Sequence, residues 1–216
     1  MKWSRLALLS FVFAVVNGSA AFAQGTNARV SNAQFDVAAS FYEALTSGTT
    51  GNGTKQTPTN SDGGMIEARY LINRLAGFGM SYSYNRADTT FAPNGTTYAT
   101  CGLTCANPVT KLSGFADEIS LDWVPSMKIG NLRPFAIGGV GFFITSPGRS
   151  VYEVNTVVRP VYVVGGGLDW TVIGHFGVRL QYRDNLYKAP DLSALYPSTG
   201  VLTSSSEPTG GIFYRF

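Results

Sequence analysis

The side chains that could do chemistry are few, and their spacing is regular. Glu67 and Arg69 stand two residues apart, Glu118 and Asp122 four apart, Arg179 and Arg183 four apart, with Asp36 and Asp169 alone. Separations of two and four put side chains on one face of a β-strand. Carboxylates paired in this way, such as Glu118 and Asp122, could do general acid/base work. Carboxylates facing arginines would instead hold one another in a polar interior. His175 is the single histidine, and no Gly-x-Ser-x-Gly, metal cluster or phosphate loop accompanies it. No catalytic residue, cofactor or metal ligand is therefore assigned, and the chain reads as a non-enzyme.

Composition constrains what can hold these charges. The chain has 216 residues, 44% hydrophobic and 13% charged, with mean hydropathy +0.07. Charged residues make up about 25% of an ordinary soluble domain, so charge here is scarce. Disorder needs high charge and few aromatics, yet 14 Phe, 11 Tyr and 3 Trp are present. The apolar residues are dispersed, since no stretch after the N-terminus approaches the 18 consecutive apolar residues of a membrane helix.

The first 23 residues read as a signal peptide. Lys2 and Arg5 precede an apolar run from Leu6 to Val16, and Ala21-Phe22-Ala23 offers the small-x-small pattern of a cleavage site. Residues 24–216 are then expected to form a single domain with no separate periplasmic one. Without Lys2 and Arg5 the 16 basic residues fall to 14 against 13 acidic ones. No basic patch remains, and nucleic-acid binding is rejected. Export suits the pair Cys101 and Cys105, which would close a short disulfide loop worth about 2 kcal/mol. A redox pair usually has tighter spacing near a helix start, and a metal site would need further ligands.

Alternation with period two recurs throughout the remainder. Phe35, Val37, Ala39 and Phe41 alternate with Asp36, Ala38, Ser40 and Tyr42. Similar segments lead through Met65–Ile72, Phe78–Asn85, Phe115–Trp123, Val161–Thr171, Phe176–Arg183 and Thr209–Phe216. The segment Leu132–Thr145 is too rich in Gly and apolar residues for its phase to be read. Asp117 falls on an apolar face, which places it above a membrane boundary. Eight strands result. Their connections alternate: short at Asn73–Gly77, Pro125–Asn131 and Val172–His175, and long at Thr46–Gly64, Arg86–Leu112, Ser146–Arg159 and Asp184–Pro208. Short periplasmic turns and long outer loops mark an all-β, eight-stranded antiparallel up-and-down transmembrane β-barrel.

The C-terminal Gly-Gly-Ile-Phe-Tyr-Arg-Phe, the stretches Gly138-Gly139-Val140-Gly141 and Gly165-Gly166-Gly167-Leu168-Asp169, and the segment Arg179–Asp191 make the likeness specific. The chain resembles the small eight-stranded OmpA-like and opacity-type outer-membrane barrels. That resemblance implies a bacterial outer-membrane location, with Ile212, Tyr214 and Phe216 as the signal read by the barrel-assembly machinery. It also implies lipid and lipopolysaccharide as surroundings.

On the inward faces, Glu67, Arg69, Glu118, Asp122, Asp169, Arg179 and Arg183 are expected to form a charge network together with Asp36, with Glu67, Glu118 and Asp122 near Arg179 and Arg183. Gly79, Gly165, Gly167 and Gly177 on those faces would leave room for water. Three functions are open: a surface scaffold whose long loops meet a ligand, a narrow pore for ions or small solutes, and an outer-leaflet lipid-modifying enzyme. His175, in a short turn on the periplasmic side, is badly placed for the third.

Overall fold

A computed structural model describes residues 33–94, 109–148, 156–190 and 198–216. The expected signal peptide and the Cys101–Cys105 pair lie outside these residues. No helix is present among the described residues. The strands are β1 (Gln34–Thr46), β2 (Thr49–Gly51), β3 (Thr54–Pro58), β4 (Ser61–Leu71), β5 (Gly77–Pro93), β6 (Thr110–Trp123), β7 (Leu132–Pro147), β8 (Val157–Ile173), β9 (Phe176–Lys188) and β10 (Leu202–Arg215). All pairings are antiparallel, and the β5–β6 pairing closes the sheet so that no edge remains around the barrel.

Eight strands make the barrel wall; β2 and β3 prolong β1 and β4 above it. Thr59 marks the kink between β3 and β4, its amide donating to the Asp88 carbonyl at 2.8 Å. The hairpin tip is Asn52-Gly53, with φ of 48° and 73°. Both values suit the type I′ turn that Asn-Gly favours.

The residue pairing also gives the stagger of the strands. Stepping across the wall from Leu186 to Tyr162, Val140, Leu121, Met80, Ala68, Val37 and Tyr214 returns to β9 at Phe176, ten residues below the start. Strands sheared in this way tilt by about 40° to the barrel axis.

Alternation decides what each face meets. Phe41, Ile66, Phe78, Trp123, Tyr162 and Leu180 point outward and are exposed. Outward charges begin at Glu43, Asp62, Arg86 and Asp184, which marks the upper limit of an apolar belt of the height a bilayer core requires, about 25 Å. Asp117 lies near that limit and accepts a 2.6 Å hydrogen bond from the Tyr82 hydroxyl.

The structure corrects the extent of all four expected long loops. The expected loop Thr46–Gly64 is mostly the β2–β3 extension of the wall. The loops expected at Arg86–Leu112 and Ser146–Arg159 shorten, because β5 reaches Pro93, β6 begins at Thr110, β7 reaches Pro147 and β8 begins at Val157. Asp184–Pro208 loses both ends, since β9 runs to Lys188 and β10 starts at Leu202 rather than Thr209. A membrane-crossing strand needs about 9–11 residues, so the 17 residues of β5 carry it well past the bilayer.

The unread phase of β7 is also fixed. Phe135 and Ile137 are buried inside while Ala136 and Val140 face out.

Candidate functional site: the charged lumen and its upper vestibule

Every residue expected in the lumen network lies inside the barrel and is nearly fully buried. The network divides into two levels.

The lower level, toward the short turns, centres on Arg179. Its guanidinium donates to Asp169 at 2.7 Å and to Asp36 at 2.8 Å, and it approaches Glu67 at 3.5 Å. Arg69 pairs with Glu67 at 2.9 Å and donates to the Gln181 side-chain oxygen at 2.7 Å. Arg215 closes the set from below, reaching Asp36 at 3.1 Å and Asp169 at 2.9 Å. Three acids thus meet three arginines. Arg133, at the periplasmic mouth, donates to the Gln34 side chain at 2.6 Å.

Two rings complete this plug. Phe135 lies under the Arg69 guanidinium at 4.2 Å and Phe213 under that of Arg215 at 4.6 Å. The lumenal glycines explain how rings of this size fit. An added Cβ on Gly167 would meet the Phe135 ring at 2.6 Å, and one on Gly177 would collide with the Phe213 ring. At these two positions the expected space for water is instead filled by aromatic side chains.

The upper level centres on Arg183. It donates to Glu118 at 2.9 Å, to Ser81 at 2.9 Å and to Ser120 at 3.1 Å. Asn185 donates to the other Glu118 oxygen at 2.7 Å. Asp122 lies within electrostatic reach of Arg183, but it forms no ion pair among the described residues and accepts from Ser120 at 2.9 Å. Glu207 is 3% exposed, and its Oε2 has no hydrogen-bond partner. Three acids here share one arginine. Arg159 stands higher on β8 and forms no ion pair with them.

Above Glu207 the barrel opens into a vestibule of about 50 Å³, lined by Asn85, Phe143, Tyr187, Thr203 and Ser205 among others. Phe143 and Tyr187 stack at 4.3 Å. The β2–β3 hairpin is tied to the adjoining β9–β10 connection: Gln56 donates to the Pro190 carbonyl at 3.4 Å, Asn52 to the Ser198 carbonyl at 2.8 Å, and Thr49 bonds Thr199 at 3.0 Å. On the outer wall Asp88 accepts from Ser113 at 2.6 Å and pairs with Lys111 at 2.9 Å. These bonds hold its carboxyl below the usual carboxylate range.

Four inward charges are absent from the sequence reading: Arg133 on β7, whose phase is not legible, Arg159, which falls in an expected loop, Arg215 and Glu207. Arg215 sat within the C-terminal alternation, where only its neighbours were read for role. Glu207 precedes Pro208, which reads as a strand break. Among the remaining residues, Ile212, Tyr214 and Phe216 face outward at the foot of the barrel, where Tyr214 meets Phe216 edge to face at 4.8 Å. His175 occupies the β8–β9 turn, its Nδ1 2.6 Å from the Arg215 carbonyl.

No sequence-family model matches the chain, and no curated protein matches it in sequence. Solved structures do match in fold. The chain is similar to OprG of Pseudomonas aeruginosa, with TM-score 0.54, 12% identity, and 85% of this chain and 95% of that one covered. It is similar to Neisserial surface protein A, with TM-score 0.53, 16% identity, and coverage of 84% and 97%. It is also similar to Ail of Yersinia pestis, an attachment invasion locus protein solved with a heparin analogue, with TM-score 0.51, 14% identity, and coverage of 85% and 99%. The fold is that of the small eight-stranded outer-membrane barrels.

Proposed function

We propose that this outer-membrane barrel is a surface scaffold, in which the membrane part holds a rigid outer extension against which a ligand docks. One observation carries the reading: the lower lumen is filled by buried ion pairs and two aromatic rings. Arg179 and Asp36 are each 0% exposed, which leaves no aqueous column beside them. An eight-stranded wall encloses little more than its own side chains, and here those side chains interlock from opposite strands.

The outer extension supplies the complementary half of the reading. Its wall is continuous β-structure pinned to the adjoining β9–β10 connection by Asn52, Thr49 and Gln56, and a rigid scaffold is where binding loops are usually mounted. The Ail structure was solved with a polyanion, but a similar ligand is not favoured here. Among the described outward residues of the extension, Lys55, Arg86, Lys111 and Lys188 are interspersed with Glu43, Asp62, Asp88 and Asp184.

The rival reading is a narrow pore, and one paired experiment separates the two. Proteoliposomes are tested for swelling in small solutes. In parallel, adhesion to host-cell and matrix-coated surfaces is compared for cells carrying the native chain or one with residues 49–58 cut back to a two-residue turn. The scaffold reading expects no swelling and reduced adhesion in the shortened chain. Swelling with unchanged adhesion would favour the pore.

A further inference from the structure

The upper lumen leaves one carboxylate oxygen unanswered, and its position suggests what would answer it. Glu207 is 3% exposed, its Oε2 has no partner, and the residue lies on the lining of the vestibule. A buried carboxylate oxygen left without a donor among the described residues is costly. Arg183, the arginine of this level, turns both terminal nitrogens to Glu118, Ser81 and Ser120, and it forms no ion pair with Glu207 among the described residues. The cavity lies on the outer side of this carboxylate, where a ligand could supply the missing donor.

The lining narrows the class of ligand. Glu207 is the one charged residue among the described residues that line the vestibule; the others are hydroxyls, amides, small or apolar residues and the rings of Phe143 and Tyr187. A single carboxylate is a poor cage for a divalent ion, which usually takes six or more oxygens or several charged ligands. The described residues hold no group of three acids, histidines or cysteines that could bind a metal. Aromatic rings beside one acid suit an organic cation, whose charge is drawn to ring faces. The unpartnered oxygen calls for a hydrogen-bond donor, which a primary ammonium carries and a quaternary one lacks. The volume of about 50 Å³ corresponds to about four water positions, which limits the ligand to a short chain.

We propose that the vestibule binds a small primary ammonium compound, its charged head donating to Glu207 and lying against the rings of Phe143 and Tyr187. The proposal rests on the barrel being sealed beneath Glu207, but it does not require that the outer loops bind anything. Failure of the adhesion experiment above would therefore leave it standing.

The test uses the folded full-length barrel in a neutral detergent, titrated with n-butylammonium and followed by calorimetry or ligand-observed NMR. Three probes run in parallel: butylammonium, the neutral isostere n-butanol, and potassium. Saturable binding of butylammonium is expected, with butanol and potassium each at least tenfold weaker. Glu207→Gln should weaken butylammonium about tenfold or more, the scale of a lost charged hydrogen bond. Tyr187→Leu keeps the carboxylate and should weaken it several-fold. Retention of the heat-modifiable gel shift shows that each variant is folded. Three results would overturn the proposal: no saturable binding to the native barrel, equal affinity for the folded Glu207→Gln protein, or potassium binding as well as the amine.

Discussion

The two levels of the lumen are built from the same residue types and differ in their balance. Below, Asp36, Glu67 and Asp169 face Arg69, Arg179 and Arg215, and every one of the six is in an ion pair. Above, Glu118, Asp122 and Glu207 share Arg183, and only Glu118 reaches it as an ion pair. Buried charge is tolerated when it is paired and hydrogen-bonded. The lower level meets that condition from within the chain and becomes a structural plug. The upper level does not, and it is the level that opens to the outer vestibule. The contrast separates the part of the interior whose charges are all in ion pairs from the part that keeps an unpartnered carboxylate oxygen among the described residues.

The largest expected effect falls on the hub of the balanced level. Arg179→Ala leaves Asp169, Asp36 and Glu67 with only flanking arginines and should cost about 3–5 kcal/mol, read from urea unfolding in lipid vesicles. Phe213→Ala removes the ring beneath two guanidiniums and should cost about 3 kcal/mol by the same assay. Arg183→Ala should cost less, about 2 kcal/mol, because it breaks one ion pair, with Glu118, where Arg179→Ala breaks three. Equal costs for Arg179→Ala and Arg183→Ala would erase the distinction between the levels. The smallest effect is expected at Glu207→Gln. Removing an uncompensated carboxylate should change ligand-free stability by under about 1 kcal/mol, or increase it.

Much of this organisation was legible in the sequence wherever lipid and lumen demand opposite chemistry. Along β1, β4, β5 and β9 the outward residues are apolar and the inward ones polar, so the alternation shows directly. On β7 the demand is relaxed. Its lumenal Phe135 and Ile137 build the apolar side of the plug while its outer face carries Ala136 and Gly138, and the pattern loses its sign. Above the bilayer no lipid enforces an apolar face. The extension through Thr49–Pro58 and Leu202–Ser206 therefore reads as polar loop, although Asn52-Gly53 signals a hairpin. The pairing of Glu118 with Arg183 and Glu67 with Arg179 follows from shared faces. That Asp122 forms no ion pair with Arg183 among the described residues depends on strand stagger, which one sequence does not reveal.

The sealed lower lumen is tested most directly by single-channel recording of the purified native barrel in planar bilayers. An interlocked plug predicts a flat current at moderate voltage, indistinguishable from lipid alone. Regular ohmic steps from the native protein would contradict it.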